Sequence, residues 1–418
     1  MDDTGEDLAH RLARFARTRD HSVLWPGLTE SRRVAAAQEI ERVTRAVLQS
    51  LRGVRLDPLE AHAPYAVAIA AHTTGMGPLL GRWVEDKIIE ASPAVESALE
   101  LHLRHSRLRT ERIEDGVLPV FDEMIDRGLS PVVLKGFHTA REYFEEPAAR
   151  RMSDVDLFIP PEELDQAEAA LLACGFEISG LELIKHKREW IGPGVENRIV
   201  SVEMADERSP WVIEVHTSLD RVFNVGAVAR FDSLRDSVVP FVVAGRTLRA
   251  QGPVALLLTL AAHCSQELHS ARLLRLVEMV RLIRDERDGK RLDWVEVLDM
   301  LHRTGAARYT YPAFALIDQL SPGLVDQRVI ILGARESTLA SRHTVRRLAP
   351  AGGSFNELGF LRQVMWTRGL AAIGHRAQRF IWPESYERPG EVLPSWNVRL
   401  RQLRAGLLSV RAPDERRY

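Results

Sequence analysis

The 418-residue chain reads as an α+β protein, with a central strand-and-helix core between two helical regions. Three observations predict this. Apolar residues recur at helical spacing up to about residue 115. Short apolar runs punctuated by glycine and proline then alternate with helical segments from Pro131 to about residue 250. Helical spacing returns from Pro253. The division expected is 1–115 for the N-terminal helical region, 116–250 for the core and 251–418 for the C-terminal helical region, in keeping with a chain too long for one typical domain.

In the first region one helix is expected over Ser31 to Leu51, with Val34, Ala37, Ile40, Val43 and Val47 on one face. Another runs from Ser97 to about Ile125. Gly75-Met76-Gly77-Pro78 separates segments, and residues 1–115 carry no strand pattern.

The pattern changes at Pro131. Pro131 to Leu134 is a short apolar run, expected to be a buried strand. Lys135-Gly136 ends it, and a helix follows with Phe137, Ala140, Arg141 and Phe144 on one side, stopped by Pro147. Asp154 to Ile159 is a second strand. A helix begins after Pro160-Pro161-Glu162-Glu163, where proline and acidic residues suit an N-terminus. Its stripe is Leu164, Ala167, Leu171 and Cys174, and Gly175 ends it. Further strands are expected at Arg198–Met204, Trp211–His216 and Val238–Val243. From Pro253 helices follow, marked by Leu256, Leu257, Leu260 and Ala261, then by Leu273, Leu276, Val277, Val280 and Ile283, then by Asp293 to Leu301.

Composition excludes several classes. Hydrophobic residues at 45% and charged residues at 27% are an ordinary globular balance. With 56 basic and 58 acidic residues the net charge is -2, so no general nucleic-acid binding and no membrane partner are expected. The two cysteines, Cys174 and Cys264, form neither a disulfide framework nor a zinc spacing, and read as buried free thiols. MDDTGED has no apolar run of a secretory signal, and Val254 to Ala262 is too short to cross a bilayer. A cytoplasmic enzyme is the expectation.

Asp154-Val155-Asp156 carries the chemistry. Residues i and i+2 of a strand share a face, so two carboxylates project together while Val155, Leu157 and Ile159 point into a core. Aligned carboxylates repel unless a cation joins them, and magnesium suits hard oxygen ligands that it shares with phosphates. At Lys135-Gly136 a glycine between strand and helix lets backbone amides approach a phosphate, and Lys135 could neutralise its charge. Val212-Ile213-Glu214-Val215-His216 alternates like a strand with Glu214 and His216 on one face, offering a third carboxylate.

These motifs, in this order, resemble the polymerase β-like nucleotidyltransferase superfamily. Leu134-Lys135-Gly136 followed by Arg150-Arg151-Met152-Ser153-Asp154-Val155-Asp156-Leu157 is similar to the bacterial uncharacterised nucleotidyltransferase family. Glu214-Val215-His216 matches that family's D-L-H-W-like strand, with Glu for Asp and Thr217 for Trp. More weakly, Ala71-His72 with Gly77-Pro78-Leu79-Leu80, Arg272 to Glu278, and Leu292-Asp293-Trp294 resemble its flanking elements. The turn here is Lys-Gly where the superfamily usually has Gly-Gly or Gly-Ser, and the stretch from Gly136 to Asp154 is longer.

The resemblance implies a polymerase β-like core and transfer of a nucleoside monophosphate from a nucleoside triphosphate, with ATP the expected donor. The catalytic and metal residues would be Asp154, Asp156 and Glu214. Lys135, Gly136 and Arg150 would bind the nucleotide, with Mg2+, or Mn2+ in its place, as cofactor. The acceptor is open: a small molecule, a sugar or a peptide. A metal-dependent phosphoesterase and a non-catalytic nucleotide-binding or scaffold protein are the alternatives.

Other features rank lower. His102 and His105 are expected on a helix surface, and His263 and His269 in core or surface roles. Lys185-His186-Lys187-Arg188 is expected as a solvated loop between strands, and no P-loop pattern is present.

Overall fold

The computed structural model describes residues 8–18, 23–56, 63–179, 187–195, 206–224, 227–268, 272–289, 291–352, 365–367, 369 and 374. The N-terminal part holds α1 (Leu8–Thr18), α2 (Glu30–Leu48), α3 (Ala63–Thr74), α4 (Gly77–Glu85) and α5 (Pro93–Asp126). Thr29 caps α2 by accepting from the Arg32 amide. Contrary to the sequence expectation, this part also contains strands. β1 (Val54–Leu56) and β2 (Ile89–Ala91) pair in parallel. At three residues each, they are too short for alternation to stand out.

The core contains β3 (Val132–Val133), α6 (Phe137–Glu142), β4 (Asp154–Phe158), α7 (Leu164–Ala173), β5 (Glu177–Ile178), β6 (Lys187–Ile191) and β7 (Val212–His216). A hairpin of β8 (Arg221–Asn224) and β9 (Ala227–Ala229) precedes β10 (Val238–Val243) and β11 (Arg246–Gln251). Then come α8 (Pro253–Gln266), α9 (Arg272–Asp288), α10 (Trp294–Thr304), α11 (Ala307–Leu320), α12 (Gln327–Glu336) and α13 (Leu339–Arg347). Among the described residues no helix is long and apolar enough to cross a membrane.

Seven strands form one mixed sheet in the order β10-β11-β3-β4-β7-β6-β5. β4 lies centrally, antiparallel to β3 and parallel to β7. Its alternation works as the sequence implies. Val155, Leu157 and Ile159 pack with Ile113, Val117, Val120 and Phe121 of α5 and with Ala167, Ala170 and Leu171 of α7. Each such buried aliphatic side chain is worth about 1.5–3 kcal/mol of transfer free energy. Phe158 points the other way, into a second core that joins α2–α4 to the helices α8–α11. The Asp154/Asp156 face therefore lies between sheet and C-terminal helices.

Two glycines allow close approach at α5. A Cβ on Gly116 would stand 2.7 Å from the Trp211 ring, and one on Gly81 of α4 would stand 2.4 Å from the Leu99 carbonyl oxygen.

Several expected boundaries shift. The helix after Gly136 ends at Glu142, well before Pro147, so Phe144 lies beyond it. In α7, Ala167 and Leu171 are buried but Leu164 and Cys174 only half so. The expected strand Arg198–Met204 lies outside the described residues. β5, β6, β8, β9 and β11 had no counterpart in the expectation, being short or polar.

Candidate active site

β4 and β7 run side by side, and their parallel register sets Asp156 beside Glu214 and Phe158 beside His216. The His216 Nε2–H donates to Asp156 Oδ1 at 2.9 Å and lies 3.5 Å from Glu214 Oε2. One ligand atom from each of Asp156, Glu214 and His216 falls within 4.8 Å of the others. Asp156 is 1% exposed, while Glu214 and His216 are half-buried at the open side. Asp154 precedes Asp156 by one pleat on the same face but is not one of the three. His216 thus joins the cluster as a residue that sequence reasoning had placed on this face without giving it a role. The signal was its i, i+2 relation to Glu214.

The acids are balanced by the chain's own cations. Lys135 Nζ donates to Asp156 Oδ2 at 2.6 Å and lies 4.0 Å from Asp154 Oδ2. Lys187 Nζ lies 2.6 Å from Glu214 Oε1 and 3.2 Å from Glu189 Oε1. Burial pushes the Asp156 carboxyl up, but the Lys135 ammonium and the His216 hydrogen bond outweigh it and hold it well below the usual carboxylate range. Asp154 goes the other way. Burial raises it, Asp156 and Glu214 add repulsion, and Lys135 offsets only part of this. The two carboxyls of the D-x-D are therefore driven apart, a pattern found where neighbouring acids take different roles. Burial lowers His216, yet its bonds to Asp156 and Glu214 raise it overall.

Gly136 has φ 51 and ψ -87, on the positive-φ side of the backbone map where glycine is favoured. The Leu134 amide donates to the Asp156 carbonyl at 2.9 Å and ties the turn to β4. A Cβ at Gly136 would stand 3.6 Å from Arg150 Nη1, an ordinary contact, so a side chain there strains the backbone rather than colliding. Arg150 itself is anchored. Its Nε donates to Glu278 Oε1 at 2.7 Å and its Nη2 to Oε2 at 3.2 Å. Glu278, on α9 and fully buried, also accepts from the Thr139 hydroxyl. The acidic position in Arg272–Glu278 thereby ties the C-terminal helices to the loop before the D-x-D.

Two carboxylates and an imidazole converging this closely fit a divalent cation.

Other expectations need correction. His102 is not on a surface. It is 1% exposed, and its Nε2–H donates to the Ala68 carbonyl at 3.1 Å, because α5 packs its ring against α3 and against Gly77. His105 lies 3.5 Å from Glu207. Lys187 and Arg188 belong to β6 rather than a loop, Arg188 pairing with Glu168, while Lys185, His186 and His269 lie outside the described residues. His263 is half-buried beside Arg221. Both cysteines are free thiols, Cys264 buried and Cys174 half-buried.

The sequence model of a family described as uncharacterised nucleotidyltransferase matches residues 63–322, from the start of α3 to just past α11. Comparison with curated proteins and with solved structures gave no match. The matched span contains the Lys135-Gly136 turn, the D-x-D strand, the Glu214–His216 strand and Glu278, and it covers more than half of the chain. The chain belongs to the uncharacterised nucleotidyltransferase family.

Proposed function

We propose that the protein is a metal-dependent nucleotidyltransferase. It moves a nucleoside monophosphate from a nucleoside triphosphate, with ATP the expected donor, to a small-molecule, sugar or peptide acceptor. The observation that carries this reading is the convergence of Asp156, Glu214 and His216 beside the Lys135-Gly136 turn. The order of turn, D-x-D strand and adjoining third-carboxylate strand also supports a polymerase β-like core.

Asp154 with Asp156 would hold one Mg2+ or Mn2+ ion, and Asp156 with Glu214 a second, His216 completing the ligand set. Such ions neutralise charge on the attacking and leaving oxygens of an in-line displacement. Lys135, Arg150 and the amides around Gly136 are assigned to the phosphates. An oxygen bound beside Asp156 lies within reach of the Lys135 ammonium, which is 2.6 Å from that carboxylate. Glu214, one strand over, is assigned to orient the nucleophile of the acceptor.

One observation favours a second reading. Lys135 and Lys187 already balance Asp156 and Glu214, as they would in a nucleotide-binding protein without catalysis. Incubating the protein with Mg2+, α-labelled or γ-labelled nucleotides and metabolite or protein fractions, read by mass spectrometry, separates the readings. Transfer gives an α-labelled acceptor and pyrophosphate. A phosphoesterase gives hydrolysed nucleotide without adduct, and nucleotide binding with no turnover marks the scaffold.

A further inference from the structure

Arg221 opens β8, a short way along the chain from His216. Its hairpin stands apart from the main sheet and is held by Phe223, whose ring stacks on Tyr309 of α11 at 4.4 Å and meets Trp366 at 4.8 Å. Gln266 of α8 donates to the Val222 carbonyl at 3.0 Å and fixes the same strand. Arg221 Nη1 donates to His263 Nδ1 at 3.1 Å and lies 3.4 Å from Gln266 Oε1. Both partners are neutral.

That distinguishes Arg221 from the cations around it. Lys135 is paired with Asp156, Lys187 with Glu214, Arg150 with Glu278 and Arg275 with Glu267. Among the described residues Arg221 forms no ion pair, although Asp156, Glu267 and Glu214 lie within electrostatic reach. Its side chain is only half-buried.

The bond to His263 also fixes a tautomer. A guanidinium can only donate, so Nδ1 accepts and the ring carries its proton on Nε2. Burial, with the charges of Lys135, Arg275 and Arg221, holds this imidazole well below its ordinary pKa and hence neutral. The Nε2–H stands 3.9 Å from Glu267 Oε2, beyond hydrogen-bond distance. The remaining guanidinium N–H groups and this imidazole N–H form a set of fixed donors, which matches the several oxygens of a phosphate.

We propose that Arg221 and His263 form an anion subsite beside the carboxylates, and that the acceptor carries a phosphate group. Assigning the anion to the acceptor rests on the nucleotidyl-transfer reading, in which Glu214 faces the nucleophile; the anion subsite itself does not.

Isothermal titration of the full chain tests this, with Mg2+ and a non-hydrolysable ATP analogue as nucleotide probe and inorganic phosphate as anion probe. With the analogue saturating, phosphate should bind the wild-type protein. Arg221→Gln should weaken that binding by about tenfold or more, the size expected for lost charge-assisted hydrogen bonds. Arg221→Lys, which keeps the charge and loses the fork, should fall between, as should His263→Gln. Affinity for the analogue should change less than about twofold, well under the loss of one charged contact. Thermal melting confirms that each variant is folded, and the Lys and His263 variants carry the test if Arg221→Gln is not. Phosphate binding that is absent from the saturated wild type, or equal in the folded variants, overturns the proposal. So does an equal loss of analogue affinity, which would assign Arg221 to the triphosphate. If phosphate binds through Arg221 but the wild type binds no analogue, the anion subsite stands and the nucleotidyl-transfer reading falls.

Discussion

Lys135 and Asp156 meet at 2.6 Å, an ammonium just past the end of β3 and a carboxylate in the middle of β4, both almost wholly removed from solvent. The pair lets two adjacent acids sit on one buried strand face. It also puts the chain's own cation where a divalent ion or a phosphate would be drawn.

Lys135→Met should therefore destabilise the fold. Removing one partner of a buried ion pair typically costs about 3–5 kcal/mol, and the bond from His216 to Asp156 should reduce the loss here toward the lower end. Adding MnCl2 should recover stability, raising Tm more in the variant than in the wild type, because a divalent ion replaces the missing charge. Thermal melts with and without Mn2+ check this. Equal Mn2+-induced shifts in the two proteins would show that no cation answers to Asp156.

Arg150 and Glu278 should behave as a unit. Arg150→Met alone leaves a fully buried carboxylate, costing about 3 kcal/mol or more, and Glu278→Met alone a half-buried guanidinium, costing less. The double variant should be more stable than the sum of the single losses implies, by at least about 1 kcal/mol of coupling. Denaturant unfolding of all four proteins measures it. Additive losses would mean that α9 is not tied to the loop through this pair.

The parts of this site legible in the sequence are those set by strand alternation. Asp154 and Asp156 share a face, and so do Glu214 and His216, because a strand permits nothing else; the β4–β7 register brings the two pairs together, and Val155 and Leu157 are buried by the same alternation. Contacts between distant segments left no local trace. Nothing near Lys187 signals that β6 would bring its ammonium to Glu214, and nothing near His102 signals that α3 and α4 would bury it. The three-residue β1 and β2 lie below the length at which alternation identifies a strand.

Gly81→Ala should be destabilising although alanine favours helices. The new Cβ would stand 2.4 Å from the Leu99 carbonyl oxygen, and α4 and α5 must separate to accept it. Overpacking of this kind costs about 1–3 kcal/mol, more than the helix propensity of alanine returns. An unchanged or higher midpoint in chemical denaturation would contradict the close crossing of these helices.

Stability should fall as the solution is acidified from pH 6.5 toward 4. Burial holds His102 and His138 down at about 4, against 6.5 for an ordinary imidazole. Within that window the unfolded chain binds protons that the folded chain does not, so each histidine removes up to about 3 kcal/mol of stability by pH 4 and nothing above pH 6.5. His138→Phe, which keeps a ring between Tyr143 and Phe241, should make Tm less dependent on pH across this range. A slope identical to the wild type would show that His138 takes up its proton in the folded state.

The central claim is that Asp156 anchors a metal–nucleotide site, and titration of Asp156→Asn with Mn2+ and a non-hydrolysable ATP analogue tests it most directly. Asparagine keeps the size of the side chain and removes its charge. The account predicts that the wild type binds the metal–nucleotide complex, while the Asp156→Asn protein melts cooperatively and binds it at least about a hundredfold more weakly, the size expected when a charged ligand is lost. A folded Asp156→Asn protein that binds the complex as tightly as the wild type would contradict the account.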